Sequence, residues 1–217
     1  MIKTLIFDMG GVLVDLDLDA CRQEFLDNLE YKDIDSILDA CHQKGIFGQM
    51  EEGLISADEF RAAVLAGSRA GMSPSDVDNA VWKILKGIEP YKAGLLKRLS
   101  CRYDLYMLSN NNPICMVRAY EIFEKAGIPI DRTFRKCYIS CQMKAMKPSA
   151  AFYRTVMDDI PCGPDEMLFI DDSPRNVKGA VDAGLPAVCY EPGSDLEKFM
   201  ADVLHEDFNG PKEEERC

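Results

Sequence analysis

Hydrophobic residues follow two different patterns along the chain, and the change of pattern divides it. Residues 2–7 form a short run rich in apolar and β-branched residues, which is typical of a central strand buried on both faces of a parallel sheet. From Leu18 to about Gly87 the apolar residues recur at helical spacing, and no strand is predicted there. From Glu89 onward, helical and strand patterns alternate. The pattern predicts an α/β protein with a parallel sheet and an inserted helical segment.

Local signals set the predicted helix boundaries within the insertion. Residues 56–59, Ser-Ala-Asp-Glu, predict a capping box at the start of a helix that ends at Gly71. Residues 73–74, Ser-Pro, predict the start of another helix that continues to Gly87. The glycine-rich segment 45–53 breaks the helical pattern and leaves two interpretations open, a loop that faces a substrate or a plain connector.

The second part of the chain contains well-separated strand and helix signals. Strands are predicted at 104–108, 137–140, 167–170 and 186–190, and helices at 93–99, 113–127, around 152–157, at 176–183 and at 196–204. The charged tail 209–217 has no apolar pattern and is predicted to be disordered. The predicted division is therefore a core formed by 1–16 and 88–208, an inserted helical domain at 17–87, and the tail.

Composition narrows the functional classes. The formal net charge of −12 argues against a nucleic acid or an anionic membrane as partner. No apolar stretch is long enough to span a bilayer, and Asp8 interrupts the N-terminal apolar segment, so a soluble cytoplasmic protein is expected. The nine cysteines are scattered and never spaced Cys-x-x-Cys, which argues against a zinc site; most, such as Cys189, are expected to be small core residues. Neither Cys41-His42 nor His205 suggests a Cys-His dyad, so carboxylates are the expected catalytic groups.

Polar residues follow several predicted strands at the edge where α/β sheets place their ligands. Asp8, Ser109 and the pair 171–172 (Asp-Asp) come at the carboxyl ends of strands, and Lys147 lies in a neighbouring loop. Each has a structural explanation by itself, as a turn residue, a surface charge or a helix N-cap. Together, three carboxylates at one edge suggest Mg²⁺, which in turn suggests a phosphate group beside the lysine and the serine.

These four motifs resemble those of the haloacid dehalogenase superfamily, whose members are mostly Mg²⁺-dependent phosphatases that act through an aspartyl-phosphate. The matching segments are Phe-Asp8-Met-Gly-Gly-Val, Leu-Ser109-Asn, Met-Lys147-Pro and Phe-Ile-Asp171-Asp172, in the family's order. The resemblance implies a Rossmann-like core with a parallel sheet and an inserted all-helical cap. The opening motif is most similar to the branch that contains sugar phosphatases, such as those acting on α-D-glucose 1-phosphate.

The resemblance also assigns candidate roles to individual residues. The implied catalytic residues are Asp8, Ser109 and Lys147; the implied substrate-binding residues are Gly10, Gly11, Ser109, Asn110 and Lys147; the implied Mg²⁺ ligands are Asp8, Gly10 through its carbonyl, Asp171 (directly or through water) and Asp172. One position departs from the family pattern, because Gly10 stands where the family has a second aspartate that acts as general acid and base. Esters of ordinary alcohols are then expected to react slowly.

The sequence therefore predicts a Mg²⁺-dependent phosphatase of small phosphorylated metabolites, such as glucose 1-phosphate, that forms an aspartyl-phosphate on Asp8. A 2-haloacid dehalogenase is the first alternative, although its chemistry has no use for the paired aspartates. A phosphate-binding protein that lost turnover with Gly10 is the second. The sequence leaves the substrate, the oligomeric state and the replacement for the missing acid open.

Overall fold

A five-stranded parallel sheet lies at the centre of the described structure. The computed structural model describes residues 1–39 and 44–206. Within them the strands are β1 (Thr4–Phe7), β2 (Asp15–Leu16), β3 (Leu85–Gly87), β4 (Asp104–Ser109), β5 (Lys136–Ile139), β6 (Met167–Asp171) and β7 (Ala187–Cys189). The large sheet has the order β5-β4-β1-β6-β7, and its neighbouring strands are parallel. The predicted α/β class with a parallel sheet is confirmed.

Helices surround this sheet and fill the segment between β2 and β3. In chain order they are α1 (Leu18–Asp27), α2 (Ile34–Ile37), α3 (Gly45–Glu51), α4 (Ala57–Gly67), α5 (Pro74–Trp82), α6 (Pro90–Ser100), α7 (Pro113–Lys125), α8 (Ile130–Thr133), α9 (Ser140–Met143), α10 (Ala150–Asp159), α11 (Pro174–Ala183) and α12 (Leu196–Leu204). A 3-10 turn at Pro164–Glu166 precedes β6. Across the described residues, none of these helices combines the length and the apolar character needed to cross a bilayer.

Strand β1 is the middle of the sheet because both of its faces are apolar. Leu5 and Phe7 belong to the larger core cluster, whereas Ile6 lies in a second cluster on the opposite face, and all three are fully buried. Phe7 pairs with Met107 of β4 and with Ile170 of β6. This register brings the carboxyl ends of the three strands to one edge of the sheet.

The insertion begins and ends at a short antiparallel pair, β2 and β3, in which Asp15 lies opposite Gly87. The Nζ atom of Lys92, a side chain only 1% exposed, lies 2.7 Å from Asp15 Oδ1 and joins this pair to α6. The prediction of a helix through to Gly87, with no strand in the insertion, was wrong, because α5 ends at Trp82. A three-residue strand is too short for a period of two to be visible in the sequence.

Helix α4 begins as predicted and ends early. The Ser56 amide donates to Glu59 Oε2 at 2.8 Å and the Glu59 amide donates to Ser56 Oγ at 3.2 Å, which is the expected capping box. The helix ends at Gly67 rather than at Gly71. There Ser68 is extended and its hydroxyl donates to the carbonyl of Val64 at 2.8 Å, so a side chain replaces the next helical hydrogen bond.

The glycine-rich segment 45–53 is largely helical, so both interpretations of it as a loop or connector were wrong in conformation. Phe47 and Met50 of α3 are fully buried, and the Phe47 ring packs edge-on against Phe60 at 5.3 Å. This packing offsets the low helix propensity of glycine, which dominated the sequence pattern. The end of α3 does face a cavity, as described below.

One smaller expectation was also wrong. Cys189 is an exposed free thiol rather than a core residue, because β7 is an edge strand. Cys41-His42 and the tail 209–217 lie outside the described residues. The domain boundaries at 16/17 and 87/88 remain a prediction.

Candidate active site

Three polar side chains meet at the carboxyl edge of the sheet because their strands are in register. Asp8 directly follows β1, Ser109 ends β4, and Asp171 ends β6. All three are buried; Asp8 is 8% exposed and Asp171 is fully buried. Buried polar groups at this edge are costly unless they are paired, so their partners decide what the site can do.

Lys147 is the cation of this cluster. Its side chain is 1% exposed, and its Nζ lies 2.9 Å from Asp8 Oδ2 and 2.6 Å from Asp171 Oδ2. The Asn110 side chain holds the lysine backbone at both ends, since the Lys147 amide donates to Asn110 Oδ1 at 2.8 Å and Asn110 Nδ2 donates to the Lys147 carbonyl at 3.0 Å. Asn110 thus fixes the lysine loop against the end of β4.

Asp171 is held by the start of α11 as well as by the lysine. Its Oδ1 accepts hydrogen bonds from the Ser173 amide at 2.9 Å and from Asn176 Nδ2 at 3.0 Å. Since Lys147 occupies Oδ2, both carboxylate oxygens have protein partners. Asp172, the next residue, is only partly buried and lines the open side of the cluster.

The two glycines after Asp8 have different roles in the backbone. Gly11 has a φ of +76°, and a Cβ atom there would lie 2.1 Å from Asp172 Oδ2, so only glycine allows the two segments to approach. Gly10 lies outside the left-handed region, and a Cβ atom there would meet only the flexible Leu16 side chain, at 3.2 Å. An L-residue at position 10 is therefore compatible with this backbone.

A cavity of about 270 Å³ opens above the cluster, a volume that suits a small molecule. Its sheet side and its helical side are formed by different parts of the chain. The lining residues include Asp8, Gly10, Ser109, Asn110, Lys147 and Asp172 on the first side, and Leu16, Leu18, Glu51, Ile84, Leu85 and Cys115 on the second. The predicted residues Asp171 and Gly11 lie just behind this surface, against Lys147 and Asp172 respectively.

The electrostatics of the cluster favour a bound divalent cation. Burial raises the pKa of Asp8 to about 7; Lys147 opposes this rise, whereas Asp171 and Asp172 add to it. Burial and then Asp171 also raise the pKa of Asp172. Burial lowers the pKa of Lys147, but Asp171 and Asp8 outweigh it, so the lysine stays charged. One ammonium group therefore faces three carboxyl groups.

The geometry of these carboxyl groups suits Mg²⁺. One oxygen from each of Asp8, Asp171 and Asp172 lies within 4.8 Å of the others. A hard cation that prefers oxygen ligands would fit between them and balance the negative charge that Lys147 leaves uncompensated.

Glu51 is a polar residue of the cavity that the sequence did not reveal. It is the last residue of α3 and lines the cavity from the helical side. Burial raises its pKa to about 8; the Asn112 side chain opposes the rise and Asp8 adds to it. The only signal in the sequence was its position within the glycine-rich segment 45–53, where a substrate-facing loop was one interpretation.

Comparison with known proteins agrees with this architecture. The model of the haloacid dehalogenase-like hydrolases matches residues 2–184. The chain belongs to this family of hydrolases. The resemblance inferred from the four motifs is thereby confirmed, and the cluster of Asp8, Lys147, Asp171 and Asp172 lies within the matched region.

Several relatives of this hydrolase cover almost its whole length. A D-ribitol-5-phosphate phosphatase from Bacteroides thetaiotaomicron is 34% identical over 208 residues, which are 94% of this chain and all of the relative. A family enzyme from the same organism, a variant solved with magnesium and inorganic phosphate, superposes with a TM-score of 0.86 at 32% identity and covers 92% of this chain and 99% of its own. A predicted family hydrolase from Porphyromonas gingivalis gives 0.85 at 31% identity, with 95% and 100% covered.

Proposed function

We propose that this hydrolase is a Mg²⁺-dependent phosphatase of small phosphorylated metabolites and that Asp8 forms an aspartyl-phosphate. The observation that carries the proposal is the pairing of a buried carboxylate, Asp8, with a buried ammonium, Lys147, at the floor of a small cavity. Two more carboxyl groups, those of Asp171 and Asp172, lie close to Asp8. An attacking anion, a cation for the phosphoryl oxygens and a cation site are the parts that phosphoryl transfer requires.

Each residue at the sheet edge has a distinct part in the proposed reaction. Asp8 attacks phosphorus while Lys147 and the Ser109 hydroxyl bind the phosphoryl oxygens. Mg²⁺ held by Asp8, the Gly10 carbonyl and Asp172, with Asp171 bound directly or through water, would balance the charge of the carboxylates and of the phosphoryl group. Water then cleaves the aspartyl-phosphate and releases inorganic phosphate. The burial of Lys147 and Asp171 keeps these groups fixed during both steps.

The helical insertion has a separate part in the proposal. We assign residues 17–87 to a cap and residues 1–16 and 88–208 to the catalytic core. This division is supported by the β2–β3 pair, which joins the two ends of the insertion, and by the insertion's contribution of Leu18, Glu51 and Ile84 to the cavity. The substrate's organic part would contact this side.

The substrate class is a phosphorylated sugar or polyol. The D-ribitol-5-phosphate phosphatase, at 34% identity, supports an open-chain polyol phosphate, whereas the opening motif suggested a sugar phosphate such as glucose 1-phosphate. The cavity is lined by both polar and apolar residues. A polyol chain needs both, because its hydroxyl groups form hydrogen bonds and its C–H groups make apolar contacts. The two candidates differ in their leaving group, a primary alcohol in the first and an anomeric hydroxyl in the second.

A phosphate-release screen tests the proposal. Polyol, sugar and nucleotide phosphates are assayed with Mg²⁺ and with EDTA, using the Asp8→Asn variant as a control for contaminating phosphatases. We expect Mg²⁺-dependent release from a sugar or polyol phosphate and none with the variant. EDTA-insensitive chloride release from 2-haloacids would instead indicate a dehalogenase, and phosphate binding without hydrolysis of any ester would indicate a binding protein.

A further inference from the structure

The glycine at position 10 leaves the proposed reaction without the carboxyl group that donates the proton in the family pattern. When the bond between phosphorus and the leaving oxygen breaks, an alcohol leaves as a strongly basic alkoxide unless an acid protonates it. Gly10 has no side chain to do so. A primary alcohol, which a polyol phosphate releases, needs this proton most.

Glu51 lines the same cavity from its helical side, and we expect the leaving group to point toward that side when Asp8 attacks from the sheet edge. It comes from α3, whereas the phosphate-binding residues come from the sheet edge. In-line attack places the entering and leaving oxygens on opposite sides of phosphorus. An acid on the side that faces Asp8 can therefore reach the leaving oxygen.

Contacts with the core fix the position of Glu51. Its carbonyl accepts a hydrogen bond from Ser140 Oγ at 2.6 Å, and the same hydroxyl accepts one from the Asn111 amide at 2.9 Å, next to the end of β4. Two residues later, Gly53 has a φ of +71°, and a Cβ there would lie 2.3 Å from the Cys141 carbonyl. The end of α3 is thus packed directly on α9. The position of Glu51 is therefore set by a packed helix and not by an unsupported loop.

The surroundings of Glu51 favour the protonated form of its carboxyl group near neutral pH. Burial raises its pKa to about 8, Asn112 and Lys147 lower it, and Asp8 raises it. Within residues 1–39 and 44–206, the thiols of Cys115 and Cys141 also interact with it. Burial raises the pKa of Cys115 far above its usual range, which makes that thiol a poor proton donor.

We propose that Glu51 is the general acid and base that replaces the aspartate missing at position 10. This inference rests on the phosphatase function proposed above. As Asp8 forms its bond to phosphorus and the leaving oxygen departs with the bonding pair, that oxygen takes the Glu51 proton and leaves as an alcohol. The Glu51 carboxylate then takes a proton from the water that attacks the aspartyl-phosphate, which restores the acid, frees Asp8 and releases phosphate.

Paired substrates separate this role from a structural one. The Glu51→Gln variant keeps the size of the side chain but loses the acid, and Glu52→Gln, at the neighbouring partly buried position, is the matched control. With ribitol 5-phosphate, we expect kcat/KM of Glu51→Gln to fall by about 10²- to 10⁴-fold. With p-nitrophenyl phosphate, whose leaving group needs no proton, we expect less than a ~10-fold fall. Glu52→Gln should match the wild type on both.

Three further measurements address the second step, the pH dependence and rescue. Glu51→Gln should release a burst of p-nitrophenolate followed by a slow phase, because dephosphorylation of Asp8 then lacks its base. For the wild type with ribitol 5-phosphate, kcat/KM should fall as pH rises through the Glu51 pKa, and this limb should be absent in the variant. The double variant with Gly10→Asp and Glu51→Gln should have a kcat/KM at least ~10-fold higher than that of Glu51→Gln alone.

The outcomes distinguish this inference from the function on which it rests. If the wild type is active and Glu51→Gln slows both substrates equally, or neither, Glu51 is not the acid and the phosphatase proposal stands. Thermal unfolding of each variant shows whether an equal loss of activity on both substrates results from destabilisation of the protein. If the wild type releases phosphate from no substrate, both proposals are overturned.

Discussion

Replacing Asp8 with asparagine should stabilise the metal-free protein at alkaline pH while it abolishes turnover. Asp8 is 8% exposed, and its pKa rises from 3.8 to about 7 on folding, mainly because burial disfavours the carboxylate. A group with a raised pKa in the folded state contributes stability that is fully present below pH 3.8 and lost as pH rises to about 7. Asparagine has the same shape and carries no charge to bury.

The size of the effect follows from the shift. About three pKa units at ~1.4 kcal/mol each give an upper limit of ~4 kcal/mol for the cost of ionised Asp8 in the folded state. Lys147, 2.9 Å from Asp8, already reduces this cost and keeps its 2.6 Å contact with Asp171 in the variant. We therefore expect Asp8→Asn to be more stable than the wild type by ~2–4 kcal/mol at pH 8, and equally stable near pH 4.

Urea unfolding with EDTA at pH 4, 6 and 8 measures this difference, and Asp158→Asn, at an exposed position, is the control. Excess Mg²⁺ should raise the free energy of unfolding at pH 8 more for the wild type than for Asp8→Asn. The reason is that the cation offsets the cost of burying the ionised Asp8 carboxylate, which the variant no longer has. A variant that is less stable than the wild type at pH 8, or a difference that does not change with pH, would show that Asp8 carries no buried charge.

Three further substitutions test the cation site and its support. Asp172→Ala should lose most activity and its dependence on Mg²⁺, and an unchanged rate with an unchanged Mg²⁺ titration midpoint would exclude Asp172 as a ligand. Gly11→Ala places a Cβ 2.1 Å from Asp172 Oδ2 and should raise that midpoint at least ~10-fold, whereas Gly184→Ala, which has a φ of +97° in open space, should change only stability. Lys147→Met removes the buried partner of two carboxylates and should cost ~3–5 kcal/mol at pH 8 without Mg²⁺ but less at pH 5, as urea unfolding would show.

The polar edge of the sheet was predictable from the sequence because it depends on strand order alone. The apolar run of β1 marks a strand buried on both faces, and parallel neighbours bring Asp8, Ser109 and Asp171 to one edge without any knowledge of side-chain packing. The predicted bounds of α12 also match those observed, since its N-cap Asp195 and its apolar stripe are local signals.

The helical side of the cavity was less predictable because long-range packing determines it. Glycines at 45 and 48 hid helix α3, which forms because Phe47 packs on Phe60. Glu51 reaches the cavity only when α3 packs on α9, and no spacing in the sequence signals that contact. The sequence located the missing acid at Gly10 but offered no candidate to replace it.

A covalent phosphoryl group on Asp8 is the most direct test of the proposed function. Wild-type protein is mixed with excess ribitol 5-phosphate and Mg²⁺, quenched in acid within the first turnovers, digested at low pH and analysed by mass spectrometry. We expect one phosphoryl group on the peptide that contains Asp8, more of it in Glu51→Gln, and none in Asp8→Asn or in EDTA. Substrate hydrolysis without any phosphorylated Asp8, together with a normal rate in Asp8→Asn, would contradict the mechanism.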